Sequence, residues 1–261
     1  MAKGEFISLL YSDDYYLPEK LERQLAVFTK SHPETGVVYS PGLRLHQETG
    51  RQWQDPSPTC SGMILWNLLH GMERTSYINP ISPLVKKACF LRYPFHEENF
   101  IEGEAIYLRI AMSYRFVYDP VPTLVMRDHA TNIGRSIRLI SAYTSYSLDR
   151  LGEYEEFFQG YQYELKQLKT RLLRRAGWQG IRVVHDPQWA RARLRQAYRL
   201  DRWQLLQPKV FLGLLLSYLP AWMRDQINQL GDWLKPHPGH TNDTQAAQAP
   251  EPARAILKAV K

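Results

Sequence analysis

A change of hydrophobic period part-way along the chain restricts the fold more than any other feature. Up to about residue 128, short apolar runs bounded by turn residues alternate with helical periods: FISLLY at 6–11, VVYS at 37–40, RFVYD at 115–119 and TLVMR at 123–127. This is the pattern of an α/β domain. From Arg135 onward strand signals nearly vanish, and Leu139, Leu165, Leu168 and Leu172 recur among Lys and Arg at helical spacing. An α/β domain over 1–134, followed by a basic helical extension over 135–235, is therefore expected. Residues 236–261 are rich in Pro, Gln, Thr and Ala with little to bury, and are expected to be a disordered tail.

Charge divides along the same line. Residues 1–150 hold 16 Lys and Arg against 16 Asp and Glu, whereas 151–261 hold 17 against 10, so the net +7 lies in the second half. That half suits an anionic partner such as lipid headgroups. Stretches such as YELKQLKTRLLRRAGWQGIRVV mix Arg with Leu and Trp as helices on anionic bilayers do; an ordinary helical appendage packed on the first domain is the alternative. The most apolar run, VFLGLLLSYLPAW at 210–222, is shorter than the ~20 residues needed to span a bilayer. It is expected to lie at the headgroup level. No helix-turn-helix, zinc-finger or RNA-binding fingerprint appears, so nucleic acid is not the expected partner. Two cysteines, Cys60 and Cys89, give neither a disulfide framework nor CxxC spacing, and a cytoplasmic, peripheral-membrane location is expected.

Within the first half, Pro18 should start a helix whose apolar face is Leu21, Leu25 and Phe28. The adjacent Asp13 and Asp14 lie between FISLLY and that helix. Strand ends are where open α/β sheets place ligands, and hard cations prefer carboxylate oxygens; a helix cap and solvated turn is the plainer alternative. Glu102 and Glu104 stand just before or at the start of an apolar-faced helix expected over about 102–114, with Ile106 and Ile110 on its buried face. One of them suits a general base, or both simply favour the helix dipole. Arg127, Asp128, His129 and Asn132 follow a strand, where Arg suits phosphate and His suits a metal, or the group is an ordinary polar turn.

The order of these clusters resembles the later half of a family 2 glycosyltransferase over residues 2–134. The residues that carry the resemblance are AKGEFISLLYSDDYYLPEKLERQ, then NPISPLVKKACF, EGEAIYLRIA and RFVYDPVPTLVMRDHATN. The resemblance implies a partial GT-A (nucleotide-diphospho-sugar transferase-like) domain, a nucleotide-sugar donor, a saccharide or lipid-linked acceptor, and inverting transfer with a divalent Mn or Mg ion. Residue by residue, it implies Asp13 as metal ligand, Asp14 as its neighbour or a donor-sugar contact, Glu102 or Glu104 as base, and Arg127 and His129 near the diphosphate.

Two departures qualify that expectation. Tyr11 stands where the family carries the leading Asp of its DxD, and Gly103 where many members carry the Asp of an acidic pair. The first motif also begins at Ala2, whereas in the family it follows a nucleotide-binding half of alternating strands and helices. An upstream start, a separate chain or a decayed remnant each accounts for this. The expected activity of the chain as written is weak or none, and a non-catalytic remnant or interaction protein is the alternative reading.

Overall fold

The computed structural model describes residues 2–71, 78–96, 105–130, 132, 136–154 and 160–233. Glu102, Glu104, the expected junction at 134/135 and the expected tail at 236–261 lie outside them. Among the described residues the protein is mixed α/β, built on two small sheets. The strands are β1 (Phe6–Ser8), β2 (Tyr15–Tyr16), β3 (Thr35–Tyr39), β4 (Leu43–His46), β5 (Gln52–Gln54), β6 (Leu84–Lys86), β7 (Arg115–Tyr118) and β8 (Leu124–Asp128). One sheet runs β1-β6-β3-β7 and the other β2-β8-β4-β5, each with one parallel pair, β3/β7 and β4/β8.

Three chain segments contribute a strand to both sheets: β1 leads into β2, β3 into β4, and β7 into β8. The crossings are held together by polar side chains. The Ser40 amide donates to Ser82 Oγ at 2.9 Å, the Ser40 and Thr123 hydroxyls share a hydrogen bond, and the Leu17 amide donates to the Thr123 carbonyl at 2.9 Å. Gly42 lies at the same place, where a Cβ would come within 3.0 Å of Leu124.

Helix α1 (Lys20–Thr29) covers one face of the first sheet, packing Phe28 with Val38 and Leu84. The other face lies under α2 (Leu65–Gly71), α3 (Lys87–Arg92), α4 (Ala105–Ile110) and the helices that follow. Strand β3 is consequently buried at every residue, as its continuous apolar run requires. Helices α5 (Ile137–Leu151) and α6 (Gln162–Arg182) contribute Leu148, Leu151, Leu165 and Leu168 to the same core as Val37, Tyr39 and Phe116. Packing therefore runs across the division expected at 134/135. Leu139, expected on the helical apolar face, is exposed.

The buried face of α1 differs from the expected one. Leu21 and Leu25 are 48% and 39% exposed, while Lys20, Gln24 and Phe28 face inward. Lys20 Nζ donates to Gln24 Oε1 and to the Ser82 carbonyl, both at 2.6 Å, and Gln24 Nε2 donates to the same carbonyl at 2.9 Å. These bonds let two polar heads occupy a position that a periodicity reading gives to leucine.

Burial pushes the Lys20 amine down to about 7. A neutral amine still has two N–H groups for its two acceptors. Between about 7 and the ordinary lysine value near 10.4, the unfolded chain binds the extra proton, so stability rises with pH in that window. Cys89, whose thiol burial pushes up to about 12, acts in the opposite sense. Comparison with Lys20→Met removes that contribution because it is common to both chains. Urea unfolding at pH 7 and pH 9 should show the wild type gaining about 2 kcal/mol relative to Lys20→Met.

The remaining helices, α7 (Pro187–Leu200), α8 (Pro208–Leu216) and α9 (Ala221–Trp233), complete the helical half, with a short 3-10 turn at Arg202–Leu206. Small residues allow close approach of α6 and α7: a Cβ on Gly177 would lie 2.5 Å from Leu194, and one on Gly180 would lie 2.9 Å from Ala190. Leu194 also meets Gly213 of α8, so one leucine joins three helices. Among the described residues no helix is long and apolar enough to cross a membrane.

Candidate functional site

Asp13 and Asp14 occupy the turn that carries the chain from the first sheet to the second. The Asp14 amide closes it by donating to the Tyr11 carbonyl at 3.3 Å. Pairing of β2 with β8, Tyr15 opposite Val125 and Tyr16 opposite Leu124, then brings the aspartates beside the end of β8. Neither aspartate caps α1, whose N-cap is Glu19 without a side-chain hydrogen bond. The capping alternative is thereby removed.

The two sequence clusters meet here. The Arg127 amide donates to Asp14 Oδ1 at 2.9 Å, Arg127 Nε donates to the Asp13 carbonyl, and His129 Nε2 hydrogen-bonds Asp13 Oδ2 at 3.0 Å. The loop after β8 braces itself: Asn132 Nδ2 donates to the Arg127 carbonyl at 3.0 Å, and the His129 amide donates to Asn132 Oδ1 at 3.3 Å. Asp128 is on the β-ladder opposite His46, and its carbonyl accepts from Gln47. Asp13, Asp14, Arg127 and His129 are thus neighbours, while Glu102 and Glu104 lie outside the described residues; α4 begins at Ala105, directly after them.

The two carboxylates differ in environment. Burial pushes the Asp14 carboxyl above its ordinary value, against the pull of the Arg127 amide; the charge of Asp13 raises it further, while those of Arg44 and Arg127 lower it. Asp13 is more open, its side chain 39% exposed beside His129 at 24%. Arg44 is the site residue that sequence reading missed. It lies on β4 and pairs with the buried Asp55 at 2.7 Å. The strand signal for β4 is weak because the alternation of Leu43 and Leu45 with Arg44 and His46 lasts only four residues within a polar stretch.

The donor set decides what cation could be held. Asp13 offers oxygen, which suits Mn²⁺ or Mg²⁺ completed by water and phosphate oxygens, while the nitrogen of His129 is a poor ligand for Mg²⁺ and favours the softer Mn²⁺ of the two; both side chains are partly open to solvent. Among the described residues no group of three His, Cys, Asp or Glu side chains is placed to hold a metal. Among the described residues the site therefore offers two donors, with Asp14 turned to the Arg127 amide, and His129 ligates through Nε2 only by releasing its hydrogen bond to Asp13. No protein-family model matches the chain.

Proposed function

We propose that this site belongs to an inverting, metal-dependent glycosyltransferase of the family 2 type, moving a sugar from a nucleotide-sugar donor to a saccharide or lipid-linked acceptor. The observation that carries the reading is the meeting of Asp13 and Asp14 with Arg127 and His129, residues 113 to 116 positions apart, through direct hydrogen bonds at a sheet-to-sheet turn.

In this reading Glu102 or Glu104 takes the proton of the acceptor hydroxyl. The acceptor oxygen forms its bond to the anomeric carbon as the bond from that carbon to the diphosphate oxygen breaks, and the electron pair leaves with the diphosphate. A positioned base contributes about 10²- to 10⁴-fold. Arg127, a permanent cation fixed by its backbone and side-chain bonds to the two aspartates, faces the developing phosphate charge. Asp13 and His129 would hold the divalent ion, which when bound supplies Lewis-acid stabilisation of the leaving group.

Inorganic pyrophosphate, the group common to nucleoside-diphosphate donors, is the direct probe. Titration calorimetry should show saturable binding of pyrophosphate that requires Mn²⁺ and is absent with the metal chelated. The second reading, a non-catalytic remnant, draws on Tyr11 in place of the leading aspartate and on the two-donor site. It predicts a cleanly folded chain with no pyrophosphate affinity at any Mn²⁺ concentration.

A further inference from the structure

Away from the sheets, the helical half presents an apolar strip with no cover among the described residues. Helix α8 buries Val210, Gly213 and Leu216 and exposes Phe211, Leu212 and Leu215; Tyr218, also exposed, continues the same face at the seventh position from Phe211. Trp203 and Leu206 on the preceding 3-10 turn are about three-quarters exposed, and Trp222 beyond Pro220 is largely exposed as well. A cleft of about 410 Å³ opens beside the strip, lined by Arg195, Tyr198, Arg199, Leu205, Leu214 and Tyr218. Arg195 donates to the Tyr218 hydroxyl at 2.6 Å, and the Arg191 guanidinium stacks 3.7 Å from the centroid of its ring.

We infer that this face is a docking surface for an anionic lipid bilayer, with the apolar strip of α8 entering the headgroup boundary and the arginine-lined cleft receiving a lipid phosphate. Charge selects this occupant. Residues 187–224 hold seven Lys and Arg against one acidic residue, Asp201. A second copy would bring two such basic faces together. The segment 234–261 itself carries four Lys and Arg against two acidic residues, so charge does not draw it onto the face. Nucleic acid would satisfy the arginines but gives exposed Leu206, Leu212 and Leu215 nothing to bury against. A bilayer satisfies both, because cations pair with headgroup phosphates while leucine and phenylalanine enter the acyl boundary and Trp and Tyr lie at the interface. The helix lies along the surface, in keeping with the absence of a spanning helix among the described residues.

Flotation of the full chain with vesicles of phosphatidylcholine, alone or with added phosphatidylglycerol, tests this at low and high salt. The wild type is expected to float with the anionic vesicles, to stay behind with the neutral ones, and to be released by salt. Arg195→Gln with Arg199→Gln should lower partitioning about 25-fold, and Leu212→Ser with Leu215→Ser about 10-fold or more, with circular dichroism unchanged. If the leucine pair disturbs the fold, Phe211→Ser replaces it. Equal binding to neutral vesicles, no binding by the wild type, or variants that bind as the wild type does would each overturn the inference. So would a dimer in sedimentation that only the leucine variants dissolve, in a chain that ignores vesicles.

Discussion

Replacing Asp13 with alanine is expected, on the proposed reading, to lower whatever sugar transfer the chain performs by about 10³-fold, since several kcal/mol of transition-state stabilisation would be lost with the ion and each 1.36 kcal/mol is tenfold. Mn²⁺-dependent pyrophosphate binding should disappear with it. The fold should remain, because the Asp13 side chain is partly exposed and its carbonyl, the acceptor for Arg127 Nε, is still present in alanine. Asp14→Asn is the informative contrast. An amide oxygen can still accept from the Arg127 amide, so the turn keeps its shape while the charge beside Asp13 is removed. If Asp14 acts mainly as a brace, pyrophosphate affinity in Asp14→Asn should fall by about 10- to 100-fold rather than vanish, and circular dichroism of both variants should match the wild type. Loss of affinity in Asp14→Asn with retention in Asp13→Ala would reverse the two roles and refute the site as drawn.

The parts of this site that the chain announces are local ones. FISLLY, VVYS, RFVYD and TLVMR are short apolar runs that supply β1, β3, β7 and β8, and β3, buried at every residue, needs no alternation. The aspartate pair and the RDH cluster could each be picked out for its chemistry. Their meeting is implied by the family resemblance but by no local pattern, since it depends on β2, two residues long, pairing with β8 across more than a hundred positions. The hairpin β4/β5 was missed within a polar loop because its alternation is brief: Leu43 and Leu45 against Arg44 and His46 on β4, and Trp53 alone between Gln52 and Gln54 on β5. Helix α1 failed in another way. Lys20 and Gln24 are buried because one carbonyl, that of Ser82, accepts from both, and a residue-type pattern carries no information about a partner 58 to 62 positions away. The glycines of α6 are equally silent, because the space they leave is taken by Leu194, Ala190 and Trp189 of α7, which no local pattern names.

Arg23→Ala should destabilise the fold by about 3 kcal/mol, near the lower end of the range for breaking one partner of a buried pair. Arg23 on α1 grips Asp119, the residue after β7, with Nε to Oδ2 at 2.5 Å and a second bond to Oδ1 at 2.7 Å. The two ends of the pair are not equivalent: the Asp119 side chain is 2% exposed, whereas that of Arg23 is 39% exposed. Solvent therefore already shares the arginine's charge, which holds the expected loss to the lower end. Removing the arginine still leaves a buried carboxylate whose other contact is a long bond, at 3.4 Å, from the Val121 amide. Arg23→Ala with Asp119→Ala together should therefore cost less than Arg23→Ala alone, because the stranded charge is gone. Urea unfolding of the two variants decides it, and a single variant costing under about 1 kcal/mol would mean the pair behaves as a surface one. Pyrophosphate binding by the folded fraction of Arg23→Ala should be unchanged, since the Asp13–Asp14 turn is fixed by β2/β8 pairing and by Arg127, not by the far side of α1.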